Sequence, residues 1–125
     1  MINGVRKVVV PVDDQQTALR FWTDTLGFHL VTDQTYGDER WIEVTPPDRG
    51  VLLVLSPRNG TPRHDPGDDR LPHSDLLFTC TDIEATHAEL TARGVEFAVP
   101  PAQQHFGWWA LFRDPEGTRY ALGQW

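Results

Sequence analysis

A single cysteine, Cys80, stands in the 125 residues. No disulfide can form within the chain, so the disulfide-stapled scaffolds of small secreted proteins are excluded. Long apolar runs are missing as well. The longest, such as Val8-Val9-Val10 and Val51 to Leu55, are strand-sized and fall far short of the ~20 residues a membrane-spanning helix needs. No leader-like segment opens the sequence, and a cytoplasmic protein without a membrane partner is expected. Positive charge is outnumbered, with 11 Lys and Arg against 18 Asp and Glu and a net charge of -7. Such a surface repels phosphate backbones and argues against nucleic acid as a partner. The acid excess serves solubility, or forms an acidic mouth that draws in cationic small molecules. Lysine is nearly absent: Lys7 stands alone beside ten arginines. No P-loop, dinucleotide fingerprint or Ser-His-Asp elbow is present. What remains is one domain's length of chain, able to bury roughly two-thirds of its unfolded surface.

That chain reads as the same sequence of elements twice. In the first half Val5 to Val12 is a β-branched strand, and Asp13-Asp14 can cap a helix. Ala18, Leu19, Trp22 and Leu26 recur at helical spacing until Gly27 stops them. Strands follow over Phe28 to Thr32, Arg40 to Thr45 and Val51 to Leu55, with a turn at Pro46-Pro47-Asp48-Arg49-Gly50. In the second half Asp75 to Cys80 is a strand, and Thr81-Asp82-Ile83-Glu84 reads as a capping box with Thr81 as the cap. Ile83, His87 and Leu90 mark a helix face, and Arg93-Gly94 ends it. Strands over Glu96 to Val99, Trp108 to Arg113 and Thr118 to Leu122 complete the unit, with Asp114-Pro115-Glu116-Gly117 as its turn. Gly27 maps onto Gly94 at an offset of 67, and Trp41 onto Trp109 and Pro47 onto Pro115 at 68. A period this long is a duplicated module rather than a solenoid repeat. The expected fold is therefore α+β: a single domain, residues 1–125, of two tandem βαβββ modules over about 1–55 and 74–125. Their two curved mixed sheets surround a cleft, with helices on the outer faces. A Pro-rich segment, 56–73, joins the modules as a plain linker or as a functional loop.

The segments Val12-Asp13-Asp14, Ala18-Leu19-Arg20-Phe21-Trp22, Leu26-Gly27-Phe28, Thr81-Asp82-Ile83-Glu84-Ala85, Arg93-Gly94-Val95 and Phe112-Arg113-Asp114-Pro115-Glu116-Gly117 carry a resemblance across nearly the whole chain. It is to the vicinal oxygen chelate superfamily, which includes glyoxalase I, bleomycin-resistance proteins, fosfomycin-modifying enzymes and extradiol dioxygenases. The resemblance is specific for fold and leaves function open, since the superfamily hosts many chemistries and some pure binders. Its metal enzymes place His or Glu at four positions. By that resemblance they fall here on Lys7, on Leu52 or Leu53, on Asp75 and on Ala121. An ammonium repels a cation and hydrocarbon offers no lone pair, so a divalent ion lacks its ligands and no cofactor is expected. The fallback is a rebuilt metal site of Glu43, His73 and Asp75, a His/carboxylate set in which His73 and Asp75 share strand parity.

Strand alternation sorts the remaining side chains. Lys7, Val9 and Pro11, then Trp41, Glu43 and Thr45, then Trp109, Leu111 and Arg113, and finally Arg119 and Ala121 are expected to face the cleft. The candidate ligand-binding residues are thus Lys7, Trp41, Glu43, Asp75, Phe106, Trp109, Arg113 and Arg119, with Phe106 and His105 on a loop that closes over the mouth. Two indoles can stack a planar ring, or fill a narrow cleft, or bury at a dimer interface. Lys7 either serves as a Schiff-base or general-base lysine or pairs with Asp75 or Glu43. Cys80, at core parity, reads as inert. The leading expectation is a metal-free small-molecule-binding protein of the bleomycin-resistance type, a homodimer that takes a planar aromatic natural product, neutral or cationic. The alternatives are a lyase, isomerase or dioxygenase of the same fold, using the rebuilt metal site or Lys7, and a partner-binding module using the exposed aromatics.

Overall fold

A computed structural model describes residues 1–125. The chain divides into two compact units, Met1–Thr61 and Pro62–Trp125. The first runs β1 (Lys7–Val12), α1 (Gln15–Arg20), β2 (His29–Tyr36), β3 (Glu39–Thr45) and β4 (Leu52–Pro57). The second runs β5 (Leu77–Cys80), α2 (Ile83–Ala92), β6 (Phe97–Gln104), β7 (Gly107–Arg113) and β8 (Arg119–Gln124). Each is a βαβββ module with a four-stranded mixed sheet, ordered β1-β4-β3-β2 in the first and β5-β8-β7-β6 in the second. The parallel pair is β1 with β4, and its equivalent β5 with β8. No helix is long and apolar enough to cross a membrane.

In the first unit Asp14 caps α1, its carboxylate accepting from the amides of Gln16 and Thr17. The helix widens into a π-type turn over Phe21–Thr25 and stops at Gly27, whose φ of 80° suits glycine alone at little cost. Phe21 and Trp22 are thereby set against one face of the sheet, where Val10, Val12, Ile42, Val44, Leu53 and Leu55 are all buried. The side chains of alternate positions, Lys7 and Val9, Trp41 and Glu43, Leu52 and Val54, are left to the opposite face. The core beneath α2 in the second unit is aromatic. Phe112 stacks on Tyr120 at 5.6 Å, Phe78 and Phe97 lie 6.0 and 6.4 Å from Phe112, and His87 meets Phe97 edge-on at 4.6 Å.

Several element bounds differ from the sequence reading. The cap of α2 is Asp82, which accepts from Ala85 N, and not Thr81; Asp is the stronger acceptor, and Thr81 only finishes the strand exit. The strand expected to end at Val99 continues through Pro100 and Pro101 to Gln104. Prolines are tolerated there because β6 is an edge strand whose pairing shifts between Val99 and Ala102. β2 runs to Tyr36 instead of Thr32, also at an edge. β5 begins at Leu77 rather than Asp75. The stretch before it is held by a reciprocal pair, His73 N donating to Arg119 O at 3.0 Å and Arg119 N donating to His73 Nδ1 at 2.8 Å.

Candidate functional site

On the first unit's face away from α1, the register sets side chains from three strands side by side. Lys7 lies beside Leu52 and Val9 beside Val54 in the parallel pair, while Glu43 stands opposite Val54 and Thr32 opposite Glu43. The Lys7 ammonium bonds Glu43 Oε2 at 2.5 Å, and the Thr32 hydroxyl donates to Glu43 Oε1 at 2.8 Å. Lys7 Nζ also sits 5.7 Å from the Trp41 ring centroid, within cation–π range. Of the two partners foreseen for Lys7, it is Glu43 that the ammonium meets. Glu43 is only 5% exposed, and burial alone would favour its neutral form. The Lys7 ammonium outweighs that and, with Thr32 and Trp41, holds the carboxyl below its ordinary value. Glu43 is therefore an ionised group with both oxygens engaged. The fixed charge that results is a closed pair flanked by an indole that is 39% exposed.

The corresponding face of the second unit is built differently. Trp109 on β7 lies opposite Gly123 on β8, and Phe106 packs edge-on against Trp109 at 5.5 Å. His105 in turn meets Phe106 edge-on at 5.1 Å. A further aromatic, unforeseen, belongs here. A side chain at Gly123 would overlap the ring of Trp125, so the glycine is the notch in which the C-terminal indole sits. A glycine inside a strand, two residues before a tryptophan, was the signal for it. Leu111 and Ala121, expected to line a cleft, are fully buried.

The charged candidates of this unit have separate positions. Asp75 is exposed in the irregular stretch before β5, so the strand parity that joined it to His73 loses its premise. His73 has its Nδ1 engaged by the Arg119 amide. Arg119 itself is 8% exposed, and its guanidinium donates to the carbonyls of Leu71 and Asp68 at 2.9 and 3.3 Å. It acts as a strut that fastens the segment before β5, and Arg63 fastens the same segment to Glu116 O and Thr118 Oγ1. Arg113 is half-buried opposite Arg119 on the sheet. Cys80 donates weakly to Gly123 O, and burial pushes its thiol up, away from the reactive thiolate.

Neither unit by itself offers a divalent ion a ligand set. Within either unit no three His, Cys, Asp or Glu side chains gather as a metal-holding group. In the first unit the position next to Lys7 on β4 is Leu52, and the one nearby carboxylate is engaged by the ammonium.

Comparison with known proteins places the chain. A family model described as the Glyoxalase/Bleomycin resistance protein/Dioxygenase superfamily matches residues 4–122. The protein YetH of Bacillus subtilis (strain 168) is 34% identical over 123 residues, 98% of each chain. Among solved structures, TnmS3, an antibiotic binding protein from Streptomyces sp. CB03234, is 36% identical with a TM-score of 0.79, covering 98% of this chain and 96% of its own. UcmS2 is 31% identical with a TM-score of 0.80, covering 98% of both.

Proposed function

The chain belongs to the Glyoxalase/Bleomycin resistance protein/Dioxygenase superfamily, and from that premise we propose that it is a binding protein for a planar aromatic small molecule and works without a metal ion. The observation that carries this reading is the Lys7–Glu43 pair. It neutralises the Glu43 carboxylate, and by the family resemblance it sets an ammonium at one of the positions where the metal enzymes place a ligand. A fixed internal cation does the electrostatic work of a bound ion but offers no open coordination position to a substrate. The first unit presents Trp41 beside that closed pair, and the second, on its own sheet, presents Trp109 with Phe106 and Trp125 about it. Aromatic surfaces with few free polar groups suit stacking of a flat ring. The likeness to an antibiotic binding protein over nearly the full chain supports the same reading. Of the two candidate carboxylates, Asp75 is the exposed one left for a ligand's positive group, because Glu43 is already paired.

The test is direct. Protein purified without chelators is assayed for iron, zinc, nickel and manganese, and then titrated with proflavine, a flat cationic tricycle, following tryptophan emission. The expected result is substoichiometric metal and saturable quenching. Trp41→Ala or Trp109→Ala should weaken binding by about 2- to 10-fold, the equivalent of one ring stack. Stoichiometric metal lost on Glu43→Ala or His73→Ala would overturn the reading in favour of a metal enzyme.

A further inference from the structure

The first unit holds a half-open cavity of about 190 Å³ at the end of its sheet, where β1 and β4 begin and β3 gives way to the turn. Its apolar wall is Val5, Val31, Val51 and Leu52, and the two charged groups on it are Arg6 and Arg49. Leu52 is the register partner of Lys7, so the cavity adjoins the face that carries the Lys7–Glu43 pair. The other arginines near acids are paired: Arg40 with Asp33, Arg58 with Asp13, Arg70 with Asp68 and Arg93 with Glu89. Arg6 and Arg49 meet no carboxylate, in a chain whose net charge is -7. The nearest acid in sequence, Asp48, is turned onto the Gly50 amide at 2.9 Å and does not line the cavity.

The backbone adds an independent observation. Arg49 has a φ of 58°, a left-handed conformation that side chains other than glycine adopt at a cost. The duplication supplies the comparison. Arg49 N donates to Pro46 O at 2.8 Å, and 68 residues on Gly117 N donates to Asp114 O at 3.0 Å. Gly117 has a φ of 84°. The second unit thus makes the same turn with the residue that the conformation favours, and the first keeps an arginine there against its backbone preference. Strained positions of this kind collect at ligand clamps.

We infer that Arg6 and Arg49 form a binding subsite for a small organic carboxylate whose apolar body rests on Val5, Val31, Val51 and Leu52. Guanidinium groups grip planar oxyanions through paired N–H donors. A single negative charge is favoured over the two of phosphate, because the field of the whole chain opposes anions. The subsite does not depend on ring stacking by Trp41 or Trp109, although it would hold the acidic end of a ligand lying on the first unit's face.

Calorimetric titration in phosphate-free, low-salt buffer tests it with benzoate, benzamide and inorganic phosphate. Benzoate should bind at least tenfold more tightly than benzamide, which has the same ring without the charge, and more tightly than phosphate. Arg49→Gly should weaken benzoate at least tenfold while leaving Tm unchanged or higher, since it rebuilds the second unit's turn. Arg6→Met should weaken benzoate similarly, and Trp41→Ala should not. Equal binding of benzoate and benzamide, tighter binding of phosphate, or full benzoate affinity in Arg49→Gly would each overturn the inference. Proflavine is a cation and does not use this subsite, so its titration decides the stacking reading separately.

Discussion

Removing the Lys7 ammonium should make a buried carboxylate into a liability that shows in stability. Lys7→Met leaves Glu43 inside with Thr32 and Trp41 as its remaining partners. Taking one member from a buried ion pair costs about 3–5 kcal/mol when both charges are out of water. Here the Lys7 side chain is 41% exposed, so solvent screens the pair and the expected loss falls to about 1–2 kcal/mol. For a chain of this length that is a drop in Tm of about 4–8 °C at neutral pH. The pH dependence carries the sharper signature. In the wild-type protein Lys7 holds the Glu43 carboxyl below its ordinary value of 4.5. That stabilisation is full above 4.5 and is lost as pH falls through the lower folded value. In Lys7→Met burial governs, the folded value rises above the ordinary one, and the variant regains stability as pH falls from neutral toward 4.5. The gap between the two proteins should therefore narrow on acidification. Thermal unfolding followed by circular dichroism at neutral pH and at steps down to 4.5 measures it. The double variant Lys7→Met/Glu43→Leu should recover most of the loss, because an apolar pair needs no counter-charge. A Lys7→Met protein as stable as wild type at neutral pH, or a gap that widens with acid, would refute the argument.

Three other outcomes follow from groups in the second unit. Arg119→Met strips the donors from the Leu71 and Asp68 carbonyls, so stability should fall by about 1–3 kcal/mol and limited proteolysis should cut residues 62–73 faster; an unchanged digestion pattern would show that the strut is idle. Asp114 accepts the amides of Glu116 and Thr118 at 2.9 Å each, so Asp114→Ala should cost about 2–3 kcal/mol in urea unfolding and Asp114→Asn clearly less. Burial pushes the Asp114 carboxyl above its ordinary 3.8, which makes wild-type stability decline as pH rises from 3.8 through the folded value; Asp114→Asn should flatten that part of the profile. Gly123→Ala fills the notch under Trp125, and the indole should swing into water with a red shift in emission and little change in Tm, because Trp125 is already 64% exposed.

Periodicity made most of this architecture legible. Alternation placed Ile42 and Val44 under the helix and Trp41 and Glu43 on the other face, and the offset of 68 carried the same sorting to Ala110 and Trp109. What it misread were places where tertiary context overrides a local rule. Pro100 and Pro101 end a strand by local chemistry, yet an edge needs no amide from them. His73 and Asp75 looked like strand neighbours, but His73 is drawn to the Arg119 backbone before the strand starts. Lys7 had two acids at plausible parity, and only the β1–β4–β3 register, which sets Lys7 and Glu43 on either side of β4, singles out Glu43. The seat of Trp125 depends on an absent side chain, which no hydrophobic pattern records.

The duplication gives each position an internal control, and departures from it separate scaffold from chemistry. Gly27 and Gly94 both end a helix with positive φ, and the two indoles Trp41 and Trp109 hold matching places on their strands. Those are the terms the fold itself demands, or that both faces use. Lys7 against Asp75, Arg49 against Gly117 and the Trp125 notch have no such symmetry. Arg49 departs at a price of about 1 kcal/mol in backbone preference that its own twin avoids. Folding gains nothing from an arginine there, because its guanidinium meets no acid. A side chain kept against the backbone, in one copy and not the other, is better accounted for by what it holds than by what it stabilises. The same logic makes the Arg6 and Arg49 corner of the first unit the place to look for a bound negative charge.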